Sequence, residues 1–535
     1  MILVFTLTSL ELWSNTHSRL TPYREQLSLL LHYLPPKDHD DFLEKVEKQL
    51  TNPIREFWCD HLGVMEYLFQ KNVIKKRSSC PEFQQWFQYY QPNQISLVFA
   101  SQFFDDPASI LGHSFLLIGS ATLPQFLQMT LNYAARTPSK ISTIQYVWNG
   151  LTGGFQSQFN LFPFYERVNT YNLEENRDLW IYPIKMNAGQ RRLFLSHIWE
   201  ILKKDHLPYY FFSQNCASKL TNIFEAVFEG KKLKLGLRTF TTPLELTQIA
   251  YRQGQLSKPT HIPSLKRQYQ STKESIERDL LKLRIKKLKG AWNELDELNW
   301  NTLLSRLSNR PPLKKTGGKV DSKLSPHKII PPARFRYSHG FADEKNKVFL
   351  GNRMGFHDLV DPIWGYRNPN ILTMGEIDLS YERQKKQLRL ESLTFLEFDK
   401  FLGIRRWSWG ASLRTEAKTP LSRQLFTQSS FSIGKSILLG PLTMDLRWSP
   451  FFSIGNTPFA NSLEWATGHF RVIYNHEIFN IAFKYIHFGN SKFQDFEGNA
   501  KYTFSNLPLG LGLTIKRLER PEIIQSGKIS VDFMY

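Results

Sequence analysis

Cys216, His113 and Asn132 are the side chains here whose types and settings could carry covalent chemistry. Cys216 lies in YYFFSQNCASKL, Tyr209 to Leu220. Behind it Leu220, Ile223, Phe224, Val227 and Phe228 recur as one face of a helix, with Gly230 as its stop. Asn215 or Ser213 can cap that helix, so Cys216 falls in the first turn, where free N–H groups and the positive dipole end favour a thiolate. A thiolate beside a histidine is a nucleophile; a lone buried cysteine otherwise packs as a small apolar residue. Among 14 histidines, His113 stands out. The turn DDPASILG delivers it to the first position of an apolar strand, HSFLLI, where it can face a cleft, take the thiol proton and return it to a leaving group. A third polar group must hold the ring, and Asn132 and Tyr133 on the next strand, LNYAA, are the candidates.

These residues need a scaffold. QISLVFAS and HSFLLIGS are short apolar runs bounded by Asp-Asp-Pro and Gly, which predicts strand, turn, strand. FLQMTLNYAA and LWIYPIKM supply further strands, LTGGF a glycine turn, and QRRLFLSHIWEILKK a helix just before the cysteine stretch. The fold expected is α+β, with helices flanking a mostly antiparallel sheet. Upstream, LSLLLHYL, DFLEKVEKQL and REFWCDHLGVMEYLF form a helical preamble punctuated by Pro35-Pro36 and Pro53.

Beyond about residue 333 the pattern switches to period two. Ile377, Leu379 and Tyr381 alternate with Glu376, Asp378 and Ser380; Leu442, Met444, Leu446 and Trp448 alternate with Thr443, Asp445 and Arg447. Trp407, Trp409, Ala411 and Leu413 follow the same rule, as do Leu507 to Ile515. One face is apolar and aromatic, the other polar or glycine, as in a membrane barrel with lipid outside and a polar lumen. Roughly ten to twelve such segments fit, ending in GKISVDFMY, where Ile529, Val531, Phe533 and Tyr535 share a face. A soluble β-sandwich is the alternative, and the aromatic-terminated last strand weighs against it.

The organisation expected is therefore a helical N-terminal region (1–94), an α+β domain (95–263), a basic helical linker (264–330) and an antiparallel β-barrel (331–535). The linker holds 16 Lys and Arg against 7 Asp and Glu over 264–328. The chain's formal charge of +20 calls for an acidic partner. Basic residues are dispersed and no nucleic-acid motif is present, which favours a membrane surface over nucleic acid. No apolar run is long enough for a transmembrane helix. The opening MILVFTLTSLELWS is either a shortened signal peptide or a first helix. Of three cysteines, Cys59 and Cys80 either pair in an oxidising compartment, leaving Cys216 free, or all three stay reduced.

PASILGHSFLLI, LNYAA, LTGGF, YNLEENRDLWIYPI, HIWEIL and YYFFSQNCASKL, in this order and spacing, resemble the Lnb-type (lipoprotein N-acylation transferase B) periplasmic-domain family. The likeness is strong over about 95–230 and looser over the preceding helices and their SSCPEF segment; members with an added C-terminal barrel match the last 200 residues. It implies a papain-like, permuted NlpC-type domain with histidine before cysteine. Cys216 would be the acyl-accepting nucleophile and His113 the general base and acid, with Ser109 and Gly112 shaping the turn. A backbone N–H at the start of the Cys216 helix, beside Asn215, would support the oxyanion. No metal or cofactor is implied, and the partner is a membrane lipid or lipoprotein. In the family's characterised branch an acyl chain passes from a lipoprotein's diacylglyceryl group to its N-terminal amine. That branch anchors itself with membrane helices, whereas here the barrel would hold the enzyme in a bacterial outer membrane with a periplasmic catalytic domain. The competing readings are a cell-wall peptidase or amidase, and a structural barrel carrying a non-catalytic domain.

Overall fold

The computed structural model describes residues 19–308 and 325–534 apart from short interruptions, among them 103–111, 204–206, 212–213, 230–232, 234–240 and 358–369. Ser109, Ser213, Gly230, the opening MILVFTLTSLELWS and most of the Pro-Gly-Lys linker lie outside the described residues. The chain forms two compact units, Met1–Val320 and Asp321–Tyr535.

The first unit opens with α1 (Arg24–Leu30), α2 (His39–Lys48), α3 (Arg55–Asp60), α4 (Leu62–Gln70) and α5 (Pro81–Tyr90). Cys59 on α3 is disulfide-bonded to Cys80, which precedes α5, so the second half of the preamble is stapled. The sheet strands are β1 (Pro92–Ala100), β2 (His113–Ser120), β3 (Met129–Ala135), β4 (Phe155–Pro163), β5 (Leu179–Pro183), β6 (Leu207–Tyr209) and β7 (Thr260–Ile262). Their order is β6-β4-β3-β2-β1-β5-β7, with every neighbour antiparallel. Central β1 and β2 are apolar in continuous runs because both sheet faces are covered. Val98, Ala100, Phe115, Leu117, Leu179 and Ile181 make the core of one face with Phe164 and Tyr171.

The helices of this unit include α6 (Thr143–Thr152), α7 (Phe164–Val168), α8 (Ala188–Leu202), α9 (Cys216–Val227) and α10 (Pro243–Arg252). Strand β4 and helix α6 are additions to the elements expected from sequence. Gly153, within LTGGF, ends α6 in the left-handed region (φ +80°) and releases the chain into β4. The preamble braces the helix that carries Cys216. The Gln26 amide donates to the carbonyls of Glu225 and Ala226 at the end of α9, and Lys219 of α9 donates to the carbonyl of His32. Buried Glu200 on α8 accepts from the Tyr33 hydroxyl and from the Gly63 N–H of α4 at 2.9 Å. A Cβ at Gly63 would come within 2.8 Å of that carboxylate, so α4 and α8 close tightly only on glycine.

The second unit is a closed antiparallel barrel of twelve strand positions. Its first strand, Arg334–Ala342, pairs with its last, Ile523–Met534, which removes the sheet edges. One position is broken: Leu442–Trp448 and Phe451–Gly455 both pair with Leu425–Leu439, and Pro450, which has no N–H for the ladder, sits in the break. The period-two pattern resolves as expected. On the last strand Ile529 and Phe533 face outward while Ser530 and Asp532 are buried in the lumen. Among the described residues no helix is long and apolar enough to cross a membrane.

Candidate active site

Strand register brings two of the expected side chains, His113 and Asn132, together. Leu116 on β2 pairs with Leu131 on β3, so Asn132 lies on the opposite sheet face, the one shared by Phe115 and, two residues earlier, His113. His113 Nε2 donates to Asn132 Oδ1 at 2.5 Å. With Nε2 carrying the proton, Nδ1 of the neutral ring is the basic nitrogen. Gly112, just ahead, has φ +81°, and a Cβ there would press on the Phe99 ring and the Ala100 carbonyl, so the approach to His113 requires glycine.

Cys216 is the first residue of α9, with Asn215 as the N-cap accepting the Ser218 N–H at 2.8 Å. The Asn215 amide donates to the carbonyls of Phe211 and Thr241, so this side chain fixes the helix start and its incoming loop. The Cys216 sulfur accepts the backbone N–H of Ser114, the residue after His113, and that of Ala217. Cys216 thus stands at a helix tip and His113 at the first residue of a central strand.

The expected thiolate is outweighed by burial. Desolvation pushes the Cys216 thiol up to about 11, against the lowering by the Ser114 and Ala217 N–H groups and Arg177. Burial also drives His113 down to about 4, opposed by the Asn132 hydrogen bond and assisted by Arg177 and Arg167. Both groups are therefore neutral near pH 7.

Several residues that sequence reasoning passed over line the enclosure around these buried groups. Tyr171, in a π-helical turn (Asn169–Glu174), packs its ring 5.8 Å from His113 and 5.6 Å from Phe115. Arg177, almost fully buried, lies 4.8 Å from the Tyr171 ring and donates to the carbonyls of Ala100 and Ser101 and to Glu175. The Tyr209 hydroxyl meets the Cys216 backbone N–H, the amide expected to support an oxyanion. Tyr133 stacks on Tyr209 at 5.8 Å, and its hydroxyl accepts from Ser157. Burial pushes Tyr133 up to about 12. Tyr171 and Arg177 sit in YNLEENRDLWIYPI, the one signal that pointed to them. Among the described residues no cluster of His, Cys, Asp and Glu suits a metal ion.

An α+β unit followed by a closed barrel with an apolar exterior is the architecture of an outer-membrane protein carrying a folded periplasmic domain. Residues 82–253 match the family model of the Lnb N-terminal periplasmic domain, and residues 324–445 match a family described as a domain of unknown function. The chain thus resembles the Lnb-type family, joined to a barrel of the outer-membrane kind, and lies in the outer membrane with a periplasmic domain. No curated protein matches. Among solved structures, the KdgM porin in complex with disordered oligogalacturonate is 11% identical, covering 38% of this chain and 99% of its own at a TM-score of 0.26. Outer membrane phospholipase A from Escherichia coli is 9% identical, covering 38% of this chain and 97% of its own at 0.26. Omp33 of Acinetobacter baumannii is 10% identical, covering 39% and 100% at 0.22.

Proposed function

We propose that the α+β unit is a thiol acyltransferase acting on a lipid or lipoprotein at the outer membrane, built on a papain-like arrangement with histidine before cysteine. His113 Nδ1 takes the Cys216 proton as the sulfur attacks an ester carbonyl. The new S–C bond yields an oxyanion, which takes a hydrogen bond from the Tyr209 hydroxyl and the Cys216 N–H that this hydroxyl releases. Collapse expels the alcohol, which leaves with the proton held by His113, and a thioester remains on Cys216. An amine then attacks the thioester, giving an amide and restoring the thiol; water in its place would give a free acid. Because thiol and imidazole both rest neutral, proton transfer accompanies attack and no preformed ion pair is needed.

The observation that supports this reading is the 2.5 Å hydrogen bond by which Asn132 holds His113 Nε2, on a strand whose next residue, Ser114, lowers the Cys216 thiol through its backbone N–H. Asn132 acts as a positioning residue. The full-length protein in detergent, treated with a short-chain activated ester, is expected to carry one acyl group on Cys216 by mass spectrometry. Cys216→Ala should carry none, and Asn132→Ala should label at least tenfold more slowly while Asn132→Gln recovers part of the rate. Equal labelling of wild type and Cys216→Ala would sink the proposal. Release of muropeptides without acyl-Cys216 would assign the unit to cell-wall peptide or amide hydrolysis.

A further inference from the structure

Arg167, on α7 at the edge of the enclosure, is a cation with little to hold it. Its side chain is 16% exposed, and its Nε–H is buried without a hydrogen-bond partner. Glu166 reaches it only at 4.0 Å and is itself 40% exposed. The guanidinium carbon lies 4.2 Å from the Phe162 ring and 6.0 Å from Tyr171, and Tyr171 is 5.8 Å from His113. A half-buried guanidinium with an unmet donor costs stability unless an anion completes it.

The surface around this cation is apolar where a soluble domain would be polar. Tyr165 on α7 is exposed, and so is Leu173 in the turn that follows. Phe126 and Leu127, from the short turn before β3, are also exposed, and the Phe126 ring stacks on Phe164 of α7 at 6.0 Å. One cation set among exposed aromatic and aliphatic side chains matches an amphiphile.

We infer that Arg167 is the phosphate-binding residue of a lipid subsite: the acyl donor is a phosphate-bearing glycerolipid, with its phosphodiester on the Arg167 guanidinium and its chains against Phe126, Leu127, Tyr165 and Leu173. The inference rests on the acyl-transfer reading and narrows its donor. Glycerol esters lie a few bonds from the phosphodiester, so a headgroup on Arg167 presents an ester carbonyl past Tyr171 to His113 and Cys216. A neutral diacylglyceryl donor would leave the guanidinium unmet. Atoms balance as before, with a lysophospholipid as the departing alcohol.

The test uses full-length protein in a non-ionic detergent and two donors with identical short chains, dihexanoylphosphatidylglycerol and dihexanoylglycerol, below saturation. Arg167→Gln should slow acyl-Cys216 formation from the phospholipid by about tenfold or more, with Arg167→Lys intermediate. The rate from dihexanoylglycerol, which carries any effect of the lost charge on His113 and also reports that the site is folded, is the reference: the phospholipid-to-dihexanoylglycerol rate ratio should fall by about tenfold. Equal losses with both donors, or no loss with either, would overturn the inference and leave the acyltransferase reading standing. In the Cys216→Ala background, Arg167-dependent binding of dihexanoylphosphatidylglycerol would uphold the subsite even if no donor ever acylated Cys216. Displacement of that lipid by inorganic phosphate or an acidic peptide at equal concentration would show a general anion site, and would count against a lipid one.

Discussion

The two units bury charge in different ways. In the α+β unit each buried ion is completed locally, by main chain and one or two nearby counter-ions: Glu66 pairs with Arg77 and Arg192, and Asp178 with Arg267. Glu200 takes the Gly63 N–H and the Tyr33 hydroxyl, Arg177 gives to the Ala100 and Ser101 carbonyls, and Asp178 takes the Ser264 N–H. In the barrel, ion meets ion. Arg447 and Arg471 both reach Asp399 and Asp445, and Asp532 gathers Arg336 and Lys501. The cause is topological. An α+β domain turns its apolar face inward, so each buried charge is an isolated exception near loops and helix ends. A barrel in lipid turns its apolar face outward, and every strand sends polar side chains into one shared lumen, where opposite charges from different strands compensate each other.

The sharpest way to break this contrast is to remove one shared anion from the lumen. Asp399→Ala leaves Arg447 and Arg471 facing each other with only Asp445 between them, and should destabilise the barrel by about 3–5 kcal/mol. The check is the urea midpoint of the lipid-reconstituted protein, read by the gel-mobility shift of the folded barrel; a change under about 1 kcal/mol would mean that water carries those charges.

The outward faces give a smaller effect. Ile529, 66% exposed on the last barrel strand, and Leu298, 64% exposed on α11 (Glu294–Ser308), look alike by exposure alone. Ile529→Arg should cost about 2–4 kcal/mol in a bilayer and much less in detergent. Leu298→Arg should stay within about 0.5 kcal/mol in both. Equal costs at the two positions would remove the distinction between a lipid face and a water face.

Sequence carried these two units unequally. Strand alternation alone located the barrel and its lipid face, because period two is locally visible. The lumen pairs were not legible: Arg471 and Asp399 are 72 residues apart and meet only once the ring is closed. In the α+β unit, Cys216, His113 and Asn132 stood out through a helix face, a turn and two apolar strands. Strand β4 was missed because FQSQFNLFP is half polar and mostly half-buried, with no clean alternation. Tyr171 was missed because a π-helical turn has no periodic signature, and Arg177 because it lies in the irregular stretch after that turn. The thiolate expected from the helix dipole did not allow for how fully the enclosure desolvates the sulfur.

The smallest effect tests whether a lone buried carboxylate in the first unit behaves as argued. Burial alone would raise Glu200, yet the neighbouring His197 and His61, the latter in hydrogen-bond contact at 3.4 Å, outweigh it and hold the group at about 2. A carboxylate held below its ordinary value of about 4.3 adds stability above that pH, and loses it as pH falls through the folded value. The window is therefore about pH 4.5 down to 2, and the contribution is on the order of 2–3 kcal/mol. Tyr33 donates to the same carboxylate, and burial next to that anion keeps its own hydroxyl protonated throughout this range. His32, at 3.2 Å from His197, completes the group. Glu200→Gln keeps the shape and loses the charge, so the acid limb of the melting temperature should flatten between pH 4.5 and 2 while the barrel transition stays put. An unchanged acid limb would mean that Glu200 is already neutral in the folded unit, and the contrast between local and shared compensation would lose one of its members.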